Sequence, residues 1–275
     1  MPVSSAIKTI AVIAVFLACA VPGLSAPKTF TVPDDYKDIQ KAIEAASAGD
    51  TVLISPGTFE ISKPLDLSAG VTLTGSGADK TILSGTAVLK ASQDPEKGSI
   101  IVARDQTTIK NLQLRHAGMC GIYIRGLSGE VRNAAVERTI IWDCPAGGIV
   151  FNNQFNTAGI LLCAFNTIVG CGAGIADNDW NTVNMFNNII ASCKIGVQKF
   201  NVVTWIAEYN DVFDCSGGNW VGMTAGANNI SSDPLFKYAA TGGFSLLPKS
   251  PCIDTGTPDP AYQDPDGSRS DMGAL

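Results

Sequence analysis

The chain is short of charge: Asp, Glu, Lys and Arg make up 16% of its 275 residues. So little charge, beside 45% hydrophobic residues, excludes a disordered chain or a coiled coil. Lys and Arg number 19 against 25 Asp and Glu, for a net charge of −6. No basic stripe is present, which excludes a nucleic-acid partner. An acidic balance also offers no general attraction to anionic polymers, so binding one would need local basic groups. Histidine is almost absent; His116 is the single one. No C-x-x-C pair occurs and no His accompanies the cysteines, which argues against a zinc site. The longest leading apolar run, Ile10 to Val21, is shorter than the roughly 20 residues a membrane span needs. That run, preceded by Lys8, reads as a targeting segment over residues 1–26, with small residues for cleavage at Ala18-Cys19-Ala20 and Gly23-Leu24-Ser25. Lipidation at Cys19 is the rival reading, though Leu17 stands two rather than three residues before it. Secretion to the periplasm, cell surface or medium is expected, without a transmembrane segment.

What the chain does have is a recurring phrase. Thr139-Ile140-Ile141-Trp142-Asp143-Cys144, Asn166-Thr167-Ile168-Val169-Gly170-Cys171, Asn188-Ile189-Ile190-Ala191-Ser192-Cys193 and Asn210-Asp211-Val212-Phe213-Asp214-Cys215 align without gaps. With Cys120, the cysteines are 24, 27, 22 and 22 residues apart. Gly then follows, with apolar residues at alternate positions, as in Gly121-Ile122-Tyr123-Ile124 and Gly148-Ile149-Val150-Phe151. A fixed period in the low twenties means a solenoid of stacked rungs. Each rung reads as three short strands with turns between them. Cys120, Cys144, Cys171, Cys193 and Cys215 are expected to stack as buried thiols, with cross-rung disulfides as the alternative. Asn166, Asn188 and Asn210, with Thr139 one rung earlier, are expected to form an inward polar ladder.

The ends differ from the middle. Tyr36 to Ala46 reads as an amphipathic helix with Ile39, Ala42, Ile43 and Ala46 on one face, capped by Asp34 or Asp35. Laid over the first rung, it would cover the open end of the stack. One domain is expected over 27–275, with 27–50 as the N-terminal cap, 51–223 as the rungs and 224–275 as a C-terminal cap wrapping the far end.

Phe30-Thr31-Val32-Pro33, Ala48-Gly49-Asp50-Thr51-Val52-Leu53-Ile54-Ser55-Pro56-Gly57 and Gly70-Val71-Thr72-Leu73-Thr74-Gly75 resemble the opening of the pectate-lyase-like superfamily. Asp233-Pro234-Leu235-Phe236, Ser250-Pro251-Cys252-Ile253-Asp254 and Asp271-Met272-Gly273-Ala274 resemble the closing segment of its bacterial secreted members. The resemblance implies an all-β, right-handed parallel β-helix. It implies little about chemistry, because that fold hosts lyases, hydrolases, esterases, epimerases and adhesins. The His-Gly and Arg-x-Lys signatures of polygalacturonase-like hydrolases are missing, as are the strand motifs of pectin methylesterases.

The candidate residues therefore come from the Gly-led strands. Alternation sends Ile122, Ile149, Ile175 and Val197 inward and Tyr123, Val150, Ala176 and Gln198 outward. A glycan-binding strip is expected over Tyr123, Arg125, Asn152, Asn178 and Trp180. Asp177, Asp179 and Lys199 are the candidate catalytic groups, Asp177 and Lys199 matching in adjacent rungs; a plain ion pair is the alternative. Asp264, Asp266 and Asp271 offer an oxygen set that suits Ca²⁺. His116, in a turn beside Arg115, reads as a turn residue. Three classes remain: a monomeric polysaccharide-binding protein, a polysaccharide lyase or glycoside hydrolase acting on a pectin-like polymer, and a structural cell-surface module.

Overall fold

The computed structural model describes residues 26–126, 133–153, 159–177, 182–200 and 204–275. The targeting segment with Cys19 lies outside the described residues except for its last position. No described helix is long and apolar enough to cross a membrane.

The strands form three parallel sheets that the chain visits in rotation, a right-handed β-helix of about seven turns. The first sheet has eight strands, from Thr29–Val32 to Trp205–Glu208. The second has seven, from Gly57–Ile61 to Asp211–Phe213. The third also has seven, from Leu65–Leu67 to Trp220–Val221. Each sheet sends one column of apolar side chains inward. Leu83, Leu114, Ile141, Ile168, Ile190 and Val212 are in register in the second sheet, and all are fully buried. Ile101, Ile122, Ile149, Ile175 and Val197 do the same in the third. Branched side chains suit such stacked, pleated positions, and their burial drives the fold. The leading glycines follow from this packing. A Cβ on Gly121, Gly148, Gly174 or Gly196 would collide with Ile141, Ile168, Ile190 or Val212 across the corner.

The turns repeat as well. Arg138, Phe165, Asn187 and Tyr209 take positive φ between the first and second sheets, each one residue before Thr139, Asn166, Asn188 or Asn210. The asparagines then bond up the stack. Asn166 Nδ2 donates to Asn188 Oδ1 at 3.0 Å, and Asn188 Nδ2 donates to Asn210 Oδ1 at 2.8 Å. Asn229, which the sequence reading left in the tail, continues the ladder by accepting from Asn210 Nδ2 at 2.9 Å.

At the next corner His116, Asp143, Gly170, Ser192 and Asp214 take positive φ, each one residue before Ala117, Cys144, Cys171, Cys193 or Cys215. Four cysteines thus form the thiol stack, and Ala117, not Cys120, heads it. Cys120 pairs with Gly147 in the third sheet and packs on the outside with Tyr123 and Val150. The cause is position in the turn: Ala117 precedes Gly121 by the same four residues as Cys144 precedes Gly148, so Ala117 fills the corner and Cys120 holds the strand position of Gly147. Burial pushes its thiol up to about 12 and pushes those of Cys163 and Cys252 up as well, while the Cys171 thiol is raised first by its neighbours Cys144 and Cys193 in the stack and then by burial. All seven described cysteines are free and buried. A thiol reagent should therefore find almost none in the native protein and all seven after unfolding without reductant. Fewer than seven would show that disulfides form.

Helix α1 spans Ile39–Ala45, starting three residues later than the sequence suggests. Asp38, not Asp34 or Asp35, caps it by accepting from the Lys41 N–H at 2.9 Å; Asp35 instead accepts from the Thr31 N–H. Its buried Ile39, Ala42 and Ile43 join the main core beside the first strands of the first and third sheets. Two short helices absent from the sequence reading, α2 (Ala87–Lys90) and α3 (Pro95–Gly98), interrupt the second turn. The tail adds a bridge from Ile230 to Asp211 at the last turn. It then runs back along the outside of the second sheet, where Phe244 packs with Ile140 and Trp142, and Met272 with Ile189. It therefore covers a flank of the coil.

Candidate functional site

The Gly-led strands place the expected strip at the C-terminal edge of the third sheet. Arg125 and Asn152 are in register, as are Asp177 and Lys199. Asn178, Asp179 and Trp180 lie outside the described residues. The alternation that selects a side does not reveal what covers it. Tyr123, Val150 and Ala176 do leave the main core, yet they form an apolar cluster of their own with Val102, Cys120 and Ala173. Tyr123 is only 6% exposed, so its ring is not an open platform for a sugar. Its hydroxyl accepts from Asn152 Nδ2 at 2.8 Å, which ties two rungs together. Asp177 is in register with the fully buried Phe151 and is itself fully buried. That position faces into the coil, because Ala176 faces out; the carboxylate is withdrawn from anything lying on the outer face. Lys199 is half-buried beside it. Arg125 is partly exposed and donates to Glu96 of α3 at 2.6 Å.

Sequence reading missed Phe200. The register carried one residue beyond Lys199 puts it level with Arg125 and Asn152, and its ring is 56% exposed. Its place in the column was there to find, since it follows Lys199 as Asn152 follows Phe151. The open edge thus carries a cation and an amide on adjacent rungs and an aromatic two rungs beyond the amide, with rungs about 4.8 Å apart.

A second cluster lies in the tail. Carboxylate oxygens of Asp254, Asp264 and Asp271 come within 4.8 Å of one another. Asp254 stands where the sequence reading had Asp266, which instead accepts from Ser268 N and Oγ at 2.9 and 2.7 Å. Asp264 Oδ2 accepts from the Asp271 N–H, and Asp271 Oδ1 from the Asp254 N–H. Burial holds the Asp264 and Asp271 carboxyls above their ordinary range, neighbouring carboxylates add to this, and Arg138 opposes it at Asp264. Three hard oxygen donors fit Ca²⁺, whose remaining positions water or a hydroxylated ligand would fill. The cluster opens into a groove of about 450 Å³ that Arg138 and Phe165 also line.

A family model described as "Protein of unknown function (DUF1565)" matches residues 28–233. The chain belongs to the DUF1565 family. This DUF1565 chain matches no curated protein. Among solved structures it is similar to a pectin methylesterase from Aspergillus niger, at 14% identity and a TM-score of 0.40, covering 76% of this chain and 84% of that one. Pectin methylesterase PemA from Erwinia chrysanthemi matches at 9% identity and 0.35, covering 82% and 99%. Pectate lyase Pel9A matches at 11% and 0.37, covering 92% and 97%. No residue role in the DUF1565 chain is taken from them.

Proposed function

We propose that this is a secreted, polysaccharide-associated β-helix protein that binds an extended glycan along the outer edge of the third sheet. One observation carries the reading: Arg125, Asn152 and Phe200 share an outward column, and Phe200 is exposed. Amide and guanidinium groups can bond sugar hydroxyls, and the ring can pack on a sugar face. A chain crossing several rungs would gain a little at each, so affinity should grow with oligosaccharide length. Hydrolysis on this strip would need two carboxylates flanking the scissile bond. With Asp177 inside the coil, the described residues of the strip do not supply that pair.

Affinity electrophoresis against plant and bacterial polysaccharides, with and without Ca²⁺, tests the proposal. At least one polymer should retard the protein. Phe200→Ala should weaken binding about five- to tenfold, as loss of one stacking contact worth about 1 kcal/mol implies, and should leave the melting temperature unchanged. Equal binding by the variant would misplace the strip. Retardation by no polymer would leave the structural-module reading in its stead.

A further inference from the structure

On the opposite flank, the outside of the second sheet, three turns of the coil bring together a hydroxyl, an imidazole and a carboxylate. Ser84 Oγ lies 3.2 Å from His116 Nδ1, and His116 Nε2 lies 3.7 Å from Asp143 Oδ2. The fold sets this up. His116 and Asp143 occupy the same left-handed corner in adjacent rungs, with φ of 60° and 54°. Ser84 is on the strand Thr81–Gly85, one rung earlier. Gly85 lets the His116 carbonyl come in close, where a Cβ would collide with it.

The surroundings suit acyl chemistry. The Trp142 ring meets the imidazole edge-on at 5.1 Å and leans on Phe244 of the tail, which makes an apolar wall. The tail is fixed there by Gln113 Nε2 donating to the Gly242 carbonyl at 3.1 Å. Arg115 is in register with Ser84, and its Nε is buried with no hydrogen-bond partner among the described residues. A buried donor without an acceptor is costly, and it is the type of group that can stabilise an oxyanion. Burial, then the nearby Lys90 and Arg115, disfavours imidazolium at His116, while Asp143 favours it; the balance holds the ring below its ordinary value. A base that is neutral near pH 7 is what proton abstraction from a serine needs.

We propose that Ser84, His116 and Asp143 form an acyl-transfer site that hydrolyses short-chain carboxylic esters. With the His116 proton on Nε2 facing Asp143, Nδ1 is free to act as base. Ser84 Oγ bonds to the ester carbonyl carbon as its proton passes to Nδ1. The oxyanion that forms is met by Arg115. The carbon–alkoxy bond then breaks, and His116 gives the proton to the departing alcohol. Water attacks the acyl-serine and yields a proton to His116. The bond to Oγ breaks, the carboxylic acid leaves, and Ser84 regains its proton. Asp143 is a positioning residue that orients the ring and steadies the imidazolium. The acyl group is short because the face is open: the side chains of His116 and Asp143 are 28% and 61% exposed, so a long chain would gain little burial.

The site is independent of the glycan strip and is tested on the full chain. A fluorophosphonate probe should add to Ser84, located by peptide mass spectrometry, and p-nitrophenyl acetate should turn over. Ser84→Ala should remove the adduct, and both it and His116→Gln should lower turnover by about 10²–10⁴-fold with the melting temperature kept. Asp143→Asn should retain some labelling, and the acid limb of its pH profile should move to lower pH, because the carboxylate favouring imidazolium is gone. Asp143→Glu should restore part of both. Ser84→Cys provides a second nucleophile, and its alkylation by iodoacetamide should depend on His116. No Ser84 adduct on folded protein, turnover equal in Ser84→Ala, or an acid limb that Asp143→Asn leaves in place would each overturn the proposal.

Discussion

Asn188→Ala is expected to lower unfolding free energy by about 4 kcal/mol or more, although it removes no large apolar group. Asn188 is fully buried in the middle of the ladder. Its Oδ1 accepts from Asn166 N and Nδ2, both at 3.0 Å. Its Nδ2 donates to the Cys163 and Phe186 carbonyls at 2.8 and 3.1 Å, and to Asn210 Oδ1. Truncation strands several buried groups at once, each costing about 1–3 kcal/mol. Some relief through water in the vacated space is allowed for in the total. Asn229→Ala at the ladder's partly exposed end should cost much less, about 1 kcal/mol, because solvent can take over its bonds. Denaturant melts of the two variants read the difference. An Asn188→Ala unfolding free energy within about 1 kcal/mol of wild type would mean the ladder follows from the fold rather than supporting it.

The coil was legible because two constraints recur in every turn. The inward columns need apolar residues at period two, and the corners need Asn or Cys after a left-handed residue. Both leave marks at fixed spacing. The Cys120 misreading shows where spacing fails. Ala117 stands 27 residues before Cys144, as Cys144 stands 27 before Cys171, so the frame is kept, and Cys120 falls near the expected spacing only because it holds the strand position of Gly147. A residue that is small and apolar, such as Ala117, fills the same corner as a cysteine and leaves no mark of its own.

The surfaces were less legible. Alternation assigns a side to Tyr123 and Val150 but cannot report that they bury each other. Asp254 joins Asp264 and Asp271 through a tail fold that has no repeat to read. Ser84, His116 and Asp143 are far apart in sequence, and the turn phase alone aligns them. The signal was present in one form: His116 precedes Ala117 as Asp143 precedes Cys144.

Ile43→Asp is the second large effect, and it bears on the stack's exposed first end. Ile43 is fully buried on α1 and belongs to the main core with Val32, Val52 and Leu67. Losing a buried aliphatic of this size costs about 2–5 kcal/mol by itself. A carboxylate in its place has no partner to hydrogen-bond, and burial without one adds several kcal/mol more. Its folded-state pKa must then lie above the unfolded value of about 3.9. The sign follows: the folded state holds the proton more tightly, so the deficit is smallest in acid and grows as pH rises through and beyond that value. Glu44→Ala, on the exposed side of the same helix, should change stability by less than about 0.5 kcal/mol at any pH. If Ile43→Asp melts like wild type at pH 7, α1 is peripheral and the first turn must be closed by something else. If it melts lower by the same amount at pH 4 and pH 7, the loss is one of volume alone, and the carboxylate has escaped to water by fraying the helix.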